Sequence, residues 1–160
     1  MDASALFSQT LSPMIKYRIQ SSWQKGDGVR ILDFKQCKDS RFVTEEAFKG
    51  NSQRQIAALP IVLGVLKKNS LTDTNLRSLE FFFYTNTIGK TKLLAEELQK
   101  KGYSVAYRKS GYNKKQFVIT GWTRKISIED NALASWAKEM CELGFKYDCK
   151  FDGWGTDVDQ

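Results

Sequence analysis

Histidine is absent from this chain, and with it go the commonest general acid–base group and the commonest imidazole metal ligand. No Ser–His–Asp or Cys–His arrangement can be assembled from these residues. Carboxylates and lysines remain, but no carboxylate pair stands at a spacing that suggests acid–base work, so catalysis is not expected. Cysteine is scarce: Cys37, Cys141 and Cys149 are odd in number and lack Cys-x-x-Cys spacing, which argues against a disulfide framework and a zinc site. Reduced, mostly buried thiols in a cytoplasmic protein are the expectation. No apolar run reaches the ~20 residues that a membrane-spanning helix needs. Met1–Phe7 lacks the basic and apolar stretches of a signal peptide. Neither cofactor, metal nor membrane is therefore expected.

What the chain does contain is enough apolar material for a packed core. Of its 160 residues 41% are hydrophobic and 12% aromatic, which excludes global disorder and suits one domain with an added element. The net charge of +7 is unevenly spread. From Thr85 to Lys125 there are ten basic residues (Lys90, Lys92, Lys100, Lys101, Arg108, Lys109, Lys114, Lys115, Arg124, Lys125) against Glu96 and Glu97. From Ile126 to Gln160 only Lys138, Lys146 and Lys150 face eight acidic residues. A surface polarised in this way steers charged partners and speeds association.

Periodicity supplies the element order. Ile15, Tyr17, Ile19 and Trp23 alternate with polar residues, Lys25-Gly26-Asp27-Gly28 is a turn, and Val29–Phe34 returns as a second strand, together a hairpin-like extension. No clear period follows through Phe42, Phe48 and Lys49–Arg54. Leu59, Val62, Leu63 and Leu66 fall on a helical stripe with Pro60 in its first turn, while Gly64 and the β-branched Ile61, Val62 and Val65 leave a buried strand as the alternative. Leu79–Tyr84 reads as a central strand, with Phe81 and Phe83 on one side and Phe82 and Tyr84 on the other. Thr87 caps a helix ending at Gly102, with Thr91, Leu94, Ala95 and Leu98 inward and Glu96–Lys100 and Glu97–Lys101 as solvent-side pairs. Strands Tyr103–Lys109 and Gln116–Trp122 flank the loop Ser110–Lys114. Ser127-Ile128-Glu129-Asp130 opens a helix carrying Leu133, Trp136, Ala137 and Met140 and stopping at Gly144. Phe145, Tyr147, Cys149 and Phe151 alternate as a last strand.

Strand, helix, strand, strand, helix, strand is the split βαβ order. The expected fold class is α+β: a ferredoxin-like sandwich of a four-stranded antiparallel sheet with two helices on one face, at 54–160, and an N-terminal extension at 1–53. Such a fold hosts many functions, so the residues on it must decide. Two sets stand out. Phe81/Phe83 or Phe82/Tyr84, with Phe117 and the basic Arg108, Lys114 and Lys115, could stack and hold RNA. However, Lys115–Ile119 lacks the glycine–aromatic alternation of RNA-recognition domains. The second set is Asp152-Gly153-Trp154-Gly155, whose glycines allow a sharp turn around an indole that anchors either a partner or the protein's own sheet edge.

At that phrase the chain resembles the ribonuclease E regulator B family (RraB), also called the ribonuclease E inhibitor domain. The likeness covers roughly 55–155 and is most specific at Phe145–Gly155, then at Phe81-Phe82-Phe83-Tyr84. It implies a ferredoxin-like domain without catalytic residues that inhibits an RNA-degrading enzyme by binding that enzyme's scaffold region and not RNA. Family members look acidic, whereas this chain is basic, which points to a different binding face. The expected function is thus a non-catalytic domain that binds and inhibits or regulates a nuclease. The alternatives are an immunity protein neutralising a nuclease toxin, or an RNA-binding domain. Expected partner-binding residues are Trp122, Asp152, Gly153, Trp154, Gly155, Arg108, Lys114 and Lys115, the basic block docking on an acidic surface and the tryptophans serving as apolar anchors.

Overall fold

The computed structural model describes residues 41–68 and 76–156, which form three helices and two antiparallel sheets. The expected strands at Met14–Trp23 and Val29–Phe34, and Cys37, lie outside the described residues. In chain order the elements are α1 (Glu45–Lys68), β1 (Leu76–Arg77), β2 (Leu79–Thr85), α2 (Ile88–Lys100) and β3 (Ser104–Lys109). They are followed by β4 (Phe117–Trp122), β5 (Ile126–Ser127), α3 (Asp130–Lys146) and β6 (Lys150–Thr156). No described helix is long and apolar enough to cross a membrane.

The main sheet runs β3-β4-β2-β6 with every neighbouring pair antiparallel. Its core face carries Leu79, Phe81 and Phe83 of β2, Ile119 of β4, and Phe151 and Trp154 of β6. Leu94 and Leu98 of α2 and Leu133, Trp136 and Met140 of α3 close over that face. The β2 alternation is as expected from the sequence: Phe81 and Phe83 are fully buried, and Phe82 and Tyr84 are half-buried on the opposite face. For α2, Thr87 accepts a hydrogen bond from the Lys90 amide, Thr91, Leu94, Ala95 and Leu98 are buried, and Gly102 follows with φ of 82°.

Several local expectations are corrected. Helix α1 is far longer than the stripe at Leu59–Leu66, and the expected boundary at 53/54 falls inside it. Its buried side continues through Asn51 and Gln55, polar residues that hide the period. Asn51 Nδ2 donates to the Phe151 carbonyl at 2.7 Å, so the burial is compensated. Pro60 therefore sits inside the helix, not in its first turn. It is exposed, so the carbonyl it leaves without an intrahelical donor can turn to water. Thr44 caps the helix by accepting from the Ala47 amide at 3.1 Å. This third helix packs chiefly on α3 and also touches β6.

Ser127 does not cap α3. It pairs with Leu76 in the two-stranded sheet, and the helix begins at Asp130. Nor does Gly144 end that helix, which continues to Lys146. A Cβ at Gly144 would lie 2.9 Å from the Phe83 ring, so the glycine lets α3 approach β2. The alternation from Phe145 is therefore helical at first, and the strand starts only at Lys150. The anticipated i,i+4 pairs are also different: Lys100 reaches Glu97 at 2.7 Å, while Lys101 crosses to Glu139 on α3.

Between α3 and β6 the chain reverses at Asp148, with φ of 56° in the left-handed region that aspartate tolerates better than most residues. Its carboxylate accepts from the Val43 and Phe42 amides at 2.7 and 2.9 Å and from Lys90 Nζ at 2.6 Å. One side chain thereby joins the entry to α1, the first turn of α2 and the α3–β6 corner. Burial pushes this carboxyl up, but the Lys90 ammonium and the two amides outweigh it, leaving it below the ordinary value of 3.8. A depressed carboxyl contributes stability at neutral pH that is lost as pH falls through its folded-state value. Asp148→Asn should keep the turn yet cost about 1–3 kcal/mol near pH 7. The gap to wild type should narrow on acidification below about pH 4 in urea titrations followed by circular dichroism.

Candidate partner-binding site

The expected binding residues separate into two groups on the sheet. Trp154 lies on the core face, 3% exposed, paired across from Phe81. Its indole meets Trp136 edge to face at 6.1 Å and 90°. Gly153 adopts φ of 143° directly after a register shift opposite Phe82 and Phe83, a conformation that only glycine takes readily. Asp152, Gly153 and Gly155 are buried like their neighbours. The glycines thus fit a bulged strand under helices and do not free an indole for a partner. Trp154 as a surface anchor is corrected: the ring is a core side chain. The related picture of stacking aromatics fails for Phe81 and Phe83 for the same reason, since both are enclosed.

The other group is on the surface. Alternation and register put Trp122, Thr120 and Val118 of β4 beside Glu80, Phe82 and Tyr84 of β2, on the face away from the core. Ser104, Ala106 and Arg108 of β3 continue that face outward. Trp122 is half-buried and pairs with Ser104, whereas Arg108 pairs with Val118. Four residues separate them along the strand, roughly 13 Å at the rise of an antiparallel strand. Lys114 and Lys115 are exposed in the loop that follows β3. Arg108, Lys114 and Lys115 therefore gather at one end of the β3–β4 hairpin, Trp122 stands at the other, and Asp152–Gly155 lie on the far strand.

The loop holding the lysines is built by its own hydrogen bonds. Ser110 N donates to the Gln116 carbonyl at 2.8 Å, and Gln116 N donates to the Asn113 carbonyl at 2.9 Å. Ser110 Oγ accepts from the Tyr112 and Asn113 amides, and Asn113 Oδ1 accepts from the Lys115 amide at 3.0 Å. The result presents Tyr112, 91% exposed, between basic residues at the tip. Sequence reasoning passed over Tyr112 and the 43%-exposed Tyr107. A large aromatic within a Ser-Gly-x-Asn turn is the signal that could have found the first.

Electrostatics set this end apart. From Gly102 to Lys125 the chain holds Arg108, Lys109, Lys114, Lys115, Arg124 and Lys125 and no acidic residue. The salt bridges among the described residues join other cations: Lys49 to Glu45, Lys67 to Asp130, Lys90 to Asp148, Lys100 to Glu97, Lys101 to Glu139, Lys138 to Glu142 and Arg41 to Asp148. The hairpin's positive charge is thus not spent internally. Elsewhere the chemistry is quiet. Burial pushes the Cys141 and Cys149 thiols up to about 12, away from the reactive thiolate. Among the described residues no group of three His, Cys, Asp or Glu side chains is placed to hold a metal.

Comparison with known proteins places the chain in a family. No curated protein matches the chain. The family described as regulator of ribonuclease activity B matches residues 61–156, which span the whole main sheet, α2 and α3. That stretch is more than half of the sequence, and it contains both the aromatic strand β2 and the buried Asp152–Gly155 phrase. The chain belongs to the regulator of ribonuclease activity B (RraB) family.

Proposed function

We propose that this protein inhibits a ribonuclease by binding it directly, with the basic end of the β3–β4 hairpin as its docking surface. The observation that carries the proposal is the group of four cations, Arg108, Lys109, Lys114 and Lys115, on a hairpin without a carboxylate, in a domain whose family regulates ribonuclease activity. Element order β2-α2-β3-β4-α3-β6 and sheet order β3-β4-β2-β6 support reading this unit as a ferredoxin-like sandwich. Such a sandwich offers a rigid platform and brings no chemistry of its own. Arg108, Lys114 and Lys115 steer an acidic patch of the nuclease into place, and Trp122 supplies apolar contact at the other end of the strands. Polar, charged surfaces of this kind govern encounter rate and partner choice more than residence time.

The test is a cleavage assay with a purified ribonuclease E-type nuclease and a fluorogenic RNA. Added chain should slow cleavage in proportion to nuclease occupied, independently of RNA concentration, and should co-elute with the enzyme. Combined replacement of Arg108, Lys114 and Lys115 by glutamate should slow association by about tenfold or more at low salt, with a smaller effect at high salt. An unchanged cleavage rate together with separate elution would overturn the proposal. Gel shifts serve the competing RNA reading: RNA retention at ~150 mM salt tighter than the ~10⁻⁴–10⁻⁶ M of non-specific binding would favour it.

A further inference from the structure

The two edges of the main sheet are treated differently. At one edge β6 is buried from Phe151 to Thr156, and α1 takes the Phe151 carbonyl through Asn51. At the other edge β4 is the one neighbour of β3 among the described residues, and five of the six residues of β3 are exposed. Strand β3 carries neither proline nor acidic residue, and its register with β4 is continuous from Ser104↔Trp122 to Lys109↔Phe117. A strand of six residues without a bulge leaves a row of outward amides and carbonyls, the template on which another extended chain can pair.

The geometry points to the outer edge of β3 as the seat of an extended acidic segment of the partner protein, added to the sheet as a fifth strand. Charge selects this occupant. Arg108 and Lys109 stand on the edge strand itself, with Lys114 and Lys115 beyond its far end. At its near end the Arg124 side chain lies against Gly102, within 3.1 Å of where a Cβ would be. Cations at both ends and no carboxylate between Gly102 and Lys125 attract an acidic strand along its whole length. The same cations repel a second copy of this chain, because β3 pairing with another β3 would bring like charges together. Lysines on an edge commonly serve to prevent self-pairing; here that protection is also selective, since it admits an acidic strand and refuses a basic one. Backbone pairing supplies affinity, while side chains alternate between the two faces for specificity. Tyr107 and Tyr112 stand where such a strand's side chains would meet apolar surface.

This inference rests on reading the protein as one that works by binding a protein partner, and it can be tested without any nuclease. The probe is a fluorescein-labelled eight-residue peptide of alternating glutamate and valine, followed by anisotropy on the full chain. A backbone ladder and net charge are both tolerant of side-chain order, so a generic acidic strand suffices. Four results are expected. The peptide binds at micromolar to sub-millimolar concentration. N-methylation of alternate peptide amides, in the register that faces β3, weakens it at least tenfold. The double variant Arg108→Glu/Lys109→Glu also weakens it at least tenfold. Hydrogen exchange at the β3 amides that point away from β4 should be fast in the free chain and slow in the complex. Failure to bind, equal binding of both N-methylated registers, or protection of the outward-pointing β3 amides already in the free chain would each overturn the inference. So would concentration-dependent self-association lost in the double variant, or equally tight binding of an oligouridine of matched charge. Inhibition of a nuclease that persists in the double variant would remove the edge and Arg108 from the account while leaving direct inhibition of the nuclease standing.

Discussion

Replacing Gly121 with alanine should unfold the domain or leave it barely folded. Gly121 lies on the core face of β4, paired with Phe81 of β2 and Val105 of β3. A methyl group there would collide with the Ser104 carbonyl oxygen and sit 2.8 Å from Phe81 Cζ. The carbonyl is backbone within a paired strand and cannot turn aside, and the Phe81 ring is fully buried among Phe83 and Tyr103. Overpacking commonly costs about 1–3 kcal/mol and more when the clash is with backbone. The expected loss is therefore at least ~3 kcal/mol out of the ~5–15 kcal/mol that holds a domain of this size together. Urea unfolding followed by circular dichroism reads it out. A substitution that shifts the midpoint by less than about 1 kcal/mol would mean that β3 and β4 separate here more easily than their register suggests.

The second large effect concerns Trp154. Truncation to alanine should cost about 3–5 kcal/mol, because the ring is enclosed and stacked edge to face on Trp136. Trp122→Ala, on the half-exposed outer face, should cost far less. The pairing of the two variants distinguishes packing from recognition. A core residue loses stability but not the binding of whatever fraction remains folded; a surface anchor does the reverse. Should Trp154→Ala retain its midpoint and lose its partner, the phrase Asp152–Gly155 would have to be exposed in the working state of the protein.

That phrase also shows how far the sequence could be read. Helical spacing of Leu94, Ala95 and Leu98 revealed α2, and short β-branched and aromatic runs bounded by turn residues revealed β2, β3 and β4. The resemblance located the family, since β2 and the end of β6 keep its characteristic aromatic and glycine pattern. What failed did so for physical reasons. Helix α1 was cut short because the polar Asn51 and Gln55 lie on its buried side, where Asn51 hydrogen-bonds a β6 carbonyl. Gly144 looked like a helix stop, but its role is to let α3 touch Phe83, which no one-dimensional period records. Glycines beside Trp154 suggested an exposed turn, and in fact one of them serves a bulge inside the sheet. The charge imbalance was legible from the start. The placing of Arg108 and Lys109 on an edge strand was not, since that depends on which strand the topology leaves outermost.

The unequal edges carry a consequence for stoichiometry. A sheet sealed along one margin and available along the other has a valence of one. It can take up a guest strand but cannot hand the pairing on, so it can neither bridge two targets nor string itself into filaments. On the proposed edge pairing, the chain and its partner should meet one to one.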